Sequence, residues 1–277
     1  MSQSAPYAGA IQPALRAAAA LAATTARPPI IVCADSGFGR ILDNWLRHLE
    51  AAAAGPALVL ALDDALEARL AGQGVPLAPF RHDGTTQDLW VRRAQLFASL
   101  AAAGVSFIHS DADAVWHRDV QGGLLAGGHD LVFSQGTFLP AAAVERWGFV
   151  LCCGLFAVRA GPASAAALRA VAEHAVTLRD DQVAMNLVLA GAGVSWRREG
   201  LRRQSIRMAG GVFDVFDRSL EGHCATWSLR VSLLPQAMVT RLPVPPRPET
   251  AVSHPLTPSD AAAKEAELRR LGCWREG

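Results

Sequence analysis

The chain has 277 residues, 51% of them hydrophobic and 18% charged, with a formal net charge of +1. That length and apolar content support a buried core, and the near-neutral balance excludes a general electrostatic affinity for nucleic acid or an anionic membrane. No run of about 18 apolar residues is present, so no membrane-spanning helix is expected. The five cysteines lack Cys-x-x-Cys spacing and lie mostly in apolar settings. They read as free thiols of a reducing compartment, not as a disulfide framework or zinc site, which makes a cytoplasmic location the default expectation.

Residues 1–27 are Ala-rich, and Ile11 to Thr25 predicts a helix ended by Pro28-Pro29. Residues 28–277 read as one further unit, an α/β domain in which buried strands alternate with helices. Ile30 to Ala34 is the first strand, and Asp35 opens the loop at its carboxyl end, the edge where open α/β sheets bind ligands. The glycines of that loop do not form a G-x-G-x-x-G fingerprint. Ile41, Leu42, Trp45, Leu46 and Leu49 recur at helical spacing. Ala57 to Leu62 is a second buried strand, followed by a short helix from Ala65 to Ala71 and a loop from Gly72 to Pro79. Gln87 to Ala103 predicts a longer helix carrying Arg92 and Arg93, with Gly104 as its cap.

The apolar run Val105 to Ile108 leads into Asp111-Ala112-Asp113. On an extended backbone, residues i and i+2 point to one side, so both carboxylates can face one ligand. Two carboxylates at the end of a buried strand repel unless something positive neutralises them, and a hard divalent cation is the natural partner. Asp130 to Ser134 and Phe149 to Val158 are further strands, joined by a connection from Leu139 to Trp147. Pro162 to Leu178 is an Ala-rich helix. Asp181 opens the next helix, where Gln182 and Asn186 share a face at i and i+4. Val194 to Trp196 is a short strand. Residues 197–226 are Arg- and Gly-rich and read as a long excursion. Leu229 to Leu234 is a strand and Pro243 to Pro248 a stiff linker. Val252-Ser253-His254 precedes a helix from Ser259 to Leu271 that carries Lys264. His254 is a candidate metal ligand, since an imidazole beside carboxylates suits Mn²⁺ better than Ca²⁺.

These segments, in this order, resemble the nucleotide-diphospho-sugar transferases of the GT-A fold, and within them the family of plant rhamnogalacturonan xylosyltransferases and cell-wall arabinosyltransferases. The likeness rests on Gly104 to Trp116, Asn44 to Leu49, Ala57 to Leu62, Phe149 to Val158, Asp181 to Asn186, Leu229 to Pro235 and Val252 to Trp274. Two positions depart from it: Cys153 stands where an Asn usually precedes Gly154, and Met185 replaces an aromatic residue.

The resemblance implies a GT-A, Rossmann-like, mostly parallel twisted sheet with helices on both faces in a single domain. It implies a nucleotide-sugar donor (a UDP-sugar foremost), a hydroxyl acceptor and transfer with retention. It implies Mn²⁺ or Mg²⁺ on Asp111, Asp113 and His254. Donor contacts would come from Asp35, Arg92 or Arg93, Asp111, Gly154, Asn186 and Lys264, while Asp181 and Gln182 would orient donor sugar and acceptor. Plant members are anchored in the Golgi, which is the alternative location. Two other readings stand beside this one: an inactive sugar-nucleotide binder, motivated by Cys153 and Met185, and a phosphatase of the haloacid dehalogenase type. Against the phosphatase, two strands precede Asp111, and Gly128-His129-Asp130 lacks the acid that a late G-D-x-x-x-D motif requires.

Overall fold

Alternate residues of the buried strands go to opposite faces of one sheet, and that alternation builds two cores. In a computed structural model of the protein, residues 8–208, 210–257 and 259–276 are described. The elements are α1 (Ala8–Thr25), β1 (Ile30–Ala34), α2 (Gly39–Ala51), β2 (Ala57–Ala61), α3 (Asp64–Leu70), β3 (Leu77–Pro79), α4 (Thr86–Ala102), β4 (Phe107–Ser110), β5 (Val115–Trp116), α5 (Gln121–Ala126), β6 (Leu131–Gln135) and α6 (Ala141–Trp147). They continue with β7 (Leu151–Val158), α7 (Pro162–Leu178), α8 (Asp181–Gly191), β8 (Ser195–Arg197), β9 (Arg203–Met208), β10 (Gly211–Phe216), β11 (Leu220–Cys224), β12 (Leu229–Leu233), β13 (Val239–Thr240), β14 (Val252–Ser253) and α9 (Ala261–Arg270).

The main sheet runs β3-β2-β1-β4-β7-β6-β12-β11-β8. All its strands share one direction except β7 and β11. This is the mostly parallel α/β sheet expected from the sequence. Ile31, Leu60, Phe107, Phe133 and Phe156 point to a core shared with α1, α4, α7 and α8. Ile30, Val32, Val59, Ile108 and Ala157 point to the other core, under α2, α3 and α9. Near-continuous apolar strands are what a sheet covered on both faces requires. The Ala-rich α1 belongs to the first of these cores, where Ala14 and Ala18 are fully buried.

Three segments differ from expectation. The 197–226 excursion contains the antiparallel β9–β10 hairpin and the sheet strand β11. The hairpin's β9 is largely solvent-exposed, so it lacks the apolar run that marks a buried strand. The loop before Pro79 ends in the three-residue edge strand β3, where proline is tolerated. The connection from Leu139 to Trp147 contains α6, ended by Gly148 at φ +81°. A second, three-stranded sheet has the order β13-β14-β5. Among the described residues no helix is long and apolar enough to cross a membrane.

His48 of α2 links these layers. Its Nδ1 lies 3.2 Å from the Trp116 carbonyl, and Arg275 Nε approaches the same nitrogen at 3.4 Å. Burial first, and then the Arg275 charge, push its pKa down to about 4. An unfolded histidine titrates near 6.5, so acid protonates the unfolded chain before the folded one. Stability contributed by neutral His48 is therefore lost as pH falls from about 6.5 towards about 4. Thermal melts across this window are expected to show a falling midpoint, with a shallower slope in His48→Gln.

Candidate active site

The site starts where β4 stops pairing. Ser110 is the last β4 residue matched to β7, opposite Leu155. Its hydroxyl receives the indole N–H of Trp45 at 3.0 Å and of Trp116 at 3.2 Å. Beyond it the chain turns: Ala114 N donates to Asp111 O at 3.0 Å, and Asp111 N to Gly154 O at 2.7 Å. Asp111 and Asp113 thus converge through a turn. The expected i, i+2 alternation along a strand is not what brings them together.

The same turn feeds β5, and pairing of β5 with β14 sets Val115 opposite Ser253. His254 is the next residue and is delivered beside the two carboxylates. Asp260 then caps α9 by accepting from Ala263 N at 2.9 Å, and Lys264 in the helix's first turn reaches Asp113. Each carboxylate divides its oxygens. Asp111 Oδ1 takes Arg93 Nη1 and His109 Nε2, both at 3.1 Å, leaving Oδ2 at 3.6 Å from His254 Nε2. Asp113 Oδ2 takes Lys264 Nζ and, at 3.3 Å, the Thr257 hydroxyl, leaving Oδ1 at 3.3 Å from His254 Nε2. Two carboxylate oxygens and one imidazole nitrogen therefore face each other, with the three groups' ligand atoms within 4.8 Å. A hard or borderline divalent cation fits that donor set.

Electrostatics follow from this partition. Burial raises the Asp111 carboxyl, but the His109 hydrogen bond and Arg93 outweigh it and hold the group down at about 2. Burial likewise opposes ionisation of Asp113, and His254 and Lys264 overcome it. Burial and Arg241 pull His254 down, yet the Asp113 charge prevails and pushes it up to about 9. Burial, with Arg93 beside it, keeps His109 below the ordinary histidine range. Arg93 is a buried hub: its Nε donates to Asp181 Oδ2 at 2.6 Å while Nη1 serves Asp111.

The floor of the site is a bulge in β7. Phe133 pairs with Phe156, but Ser134 pairs with Cys152, so Cys153, Gly154 and Leu155 have no ladder partner on β6, and the Ser134 hydroxyl donates to Leu155 O at 2.8 Å instead. The helix α8 takes up backbone groups there and next to it. Gln182 Oε1 accepts from Cys153 N at 3.1 Å, and its Nε2 donates to Leu139 O at 3.1 Å. Asn186 accepts from Leu151 N at 2.9 Å and donates to Leu151 O at 2.8 Å. Asn186 is fully buried and spent on this strand, which corrects the expectation of a donor contact. Gly154 is required for space: a Cβ there would overlap His254 Cε1 and Asp111 Oδ2.

Asp35 lies at the same sheet edge as Asp111, since β1 and β4 are parallel neighbours, and its carboxylate accepts from Phe38 N at 2.9 Å. Arg92 turns instead to Asp88, at 2.5 Å on its own helix. Adjacent helical residues point about 100° apart, so only one of the arginine pair can enter the cluster, and it is Arg93. The N-cap of α8 is Asp180, which accepts from Val183 N at 2.8 Å and leaves the Asp181 carboxylate for Arg93. Sequence reasoning singled out Cys153, but that thiol turns to the Asp181 carbonyl at 3.9 Å. Cys152 is the cysteine at the site, with Sγ 3.9 Å from His254 Nδ1. His109 and Thr257 were also missed. A buried histidine two residues before Asp111 was the available signal for the first.

Two outcomes test this geometry. Gly154→Ala is expected to abolish metal binding with at most a modest loss of secondary structure, read by calorimetry and circular dichroism. A cation on His254 Nε2 must displace its proton, so metal affinity should rise with pH up to about 9. Titrations in buffers of different ionisation enthalpy should show proton release at neutral pH. A pH-independent affinity excludes His254 as a ligand.

Comparison with known proteins identifies the family and the fold. The family model of the nucleotide-diphospho-sugar transferases matches residues 55–242, more than half of the chain. None of the curated proteins matches. Among solved structures, galactosyltransferase LgtC in complex with donor and acceptor sugar analogues is 14% identical, with a TM-score of 0.50, over 90% of this chain and 97% of LgtC. An active-site variant of LgtC superposes with the same TM-score and coverage at 12% identity. These similarities to solved structures speak for the fold. The family match leaves no room for the phosphatase reading, and the chain belongs to the nucleotide-diphospho-sugar transferases as a glycosyltransferase of the GT-A fold.

Proposed function

We propose that the protein moves a sugar from a UDP-sugar to a hydroxyl acceptor with retention, and that Asp111, Asp113 and His254 hold Mn²⁺ for this purpose. The supporting observation is the convergence of Asp111 Oδ2, Asp113 Oδ1 and His254 Nε2 at the carboxyl edge of an interior strand. The nitrogen in that set favours Mn²⁺ over Ca²⁺, with Mg²⁺ the alternative. A bound divalent cation supplies Lewis-acid stabilisation of the charge that develops on the departing diphosphate.

The chain's own groups complete the step. Lys264, already beside Asp113, adds positive charge next to the leaving group. The acceptor oxygen bonds to the anomeric carbon as the carbon–diphosphate bond breaks on the same face, and the acceptor proton passes to the departing oxygen. No separate base is required. Asp181 acts through Arg93, which fixes Asp111, and Gln182 acts through the β7 bulge. Both are positioning residues. Asp35 stands at the edge that would meet the nucleoside.

Turnover of a panel of UDP-sugars with and without Mn²⁺, read by mass spectrometry, tests the assignment. Asp113→Ala and His254→Ala should each lower turnover by roughly two to three orders of magnitude, the scale for losing one preorganised charge-stabilising group. Both side chains are buried and paired with charge, so each variant should also melt lower, and turnover is compared at a temperature where the variants are folded. Full activity of His254→Ala across a Mn²⁺ titration would remove it from the site. Binding of UDP-sugar without any turnover would instead identify an inactive binder. Asp35→Ala should weaken UDP affinity, and the anomeric configuration of the product, read by NMR, decides retention.

A further inference from the structure

The β9–β10 hairpin and the segment from Gln236 to Thr250 enclose a groove of about 510 Å³. Its lining includes three polar residues that are more than nine-tenths buried: Gln236, Thr240 and Thr250. In each, the side-chain oxygen is already engaged. Gln236 Oε1 accepts from Arg241 N at 2.7 Å, Thr240 Oγ1 from Leu242 N at 3.1 Å, and Thr250 Oγ1 from Arg247 N at 3.1 Å. What these groups still have to offer is chiefly donors: two amide hydrogens and two hydroxyl hydrogens. Gln236 Nε2 is buried without a hydrogen-bond partner, a costly arrangement for a donor.

The rim carries charges of both signs. Arg202, Arg203 and Arg247 line it against Asp217 and Glu249. Arg203 is occupied by Asp214 at 3.3 Å, but among the described residues neither Arg202 nor Arg247 enters a salt bridge. Asp217 is turned to the Arg202 backbone N at 3.0 Å. The groove's wall is tied to the transfer centre through the backbone of His254. His254 N donates to Thr240 O at 2.8 Å, and Arg241 Nη1 donates to His254 O at 2.8 Å, so the wall that lines the groove also grips the backbone of His254.

We propose that this groove is the acceptor subsite and that it selects an acceptor bearing an oxyanion, a phosphate or a carboxylate. The proposal rests on the transferase reading above. A neutral sugar hydroxyl both gives and takes hydrogen bonds, whereas a phosphate or carboxylate only accepts them and so matches a donor-rich wall with free guanidinium groups. The donor's diphosphate is accounted for elsewhere, at Lys264 and the carboxylate–histidine cluster.

The test is calorimetry on the full chain, saturated with Mn²⁺ and UDP so that the diphosphate site is filled, or on the chain alone if UDP does not bind. The probes are glucose 6-phosphate, glucuronate and uncharged methyl glucoside. At least one charged probe should bind about tenfold or more tighter than methyl glucoside, and the stronger of the two tells phosphate from carboxylate. Arg247→Ser, Arg202→Ser and Gln236→Leu should each reduce that preference, and the two rim variants keep the test independent of any folding defect at buried Gln236. Equal binding of the neutral and charged probes, no binding of either charged probe, or a preference untouched by both arginine variants overturns the proposal. Hydrolysis of UDP-sugar to water by the wild-type chain reads the transferase assignment separately, so either reading can fail without the other.

Discussion

Holding two carboxylates beside each other, Asp113 buried and Asp111 partly exposed, is the constraint on which the rest of this structure depends. Asp111 and Asp113 sit one residue apart, and their mutual repulsion grows as water is withdrawn. The chain answers with one cation for each. Arg93 comes from α4, ahead of the turn in sequence, and Lys264 comes from α9, near the far end. Each basic group takes one oxygen and leaves the other turned inward towards His254. The arrangement satisfies a folded chain and still presents oxygen ligands. Replacing Asp181 would disturb it at one remove, because Asp181 is what orients the Arg93 guanidinium.

A second constraint is space. The turn bearing the two carboxylates is stitched to β7 through Asp111 N and Gly154 O, so the backbone of Gly154 lies against the side chains of Asp111 and His254. Only a residue without a side chain fits. A continuous strand would pair with β6 here, and the bulge withdraws the peptide groups of Cys153 and Gly154 from that ladder. Gln182 compensates at Cys153 N, and Asn186 braces Leu151 next to the bulge. The i, i+4 pair visible in the sequence is thus a brace for β7, which explains why both amides face the strand.

How much was legible in the sequence depended on the length of the signal. The apolar runs of β1, β4 and β7 and the Ala-rich α7 stand out because a sheet covered on both sides needs continuous apolar strands. The order of motifs around Asp111, Asp113, His254 and Lys264 carried the site, and those four side chains do converge. Choices between neighbours were not legible. Arg92 against Arg93 depends on helical phase, and Cys152 against Cys153 on a bulge that no alternation pattern records. Strand β9 is largely exposed and polar, so it gave no period to follow, although its partner β10 buries Phe213, Val215 and Phe216. The groove beside it combines residues from two separate segments, and nothing in either predicts the other.

The path of the chain also bears on the order in which the molecule can assemble. Every strand of the nine-stranded sheet has been synthesised by Leu233, whereas His254 and Lys264 follow it, and the contact between Lys264 and Asp113 spans 151 residues. A nascent chain that has reached this point has the strands of its scaffold but only one of the two cations that its acidic turn requires. The closing segment then returns over α2, where Asn44 meets the carbonyl of Cys273 at 3.1 Å and Arg40 meets Glu265 at 2.7 Å. Contacts so distant along the chain form slowly, since loop closure precedes their reward. The segment that carries His254 and Lys264 thus acts as a latch on a scaffold made before it, so that scaffold and chemistry mature at different times.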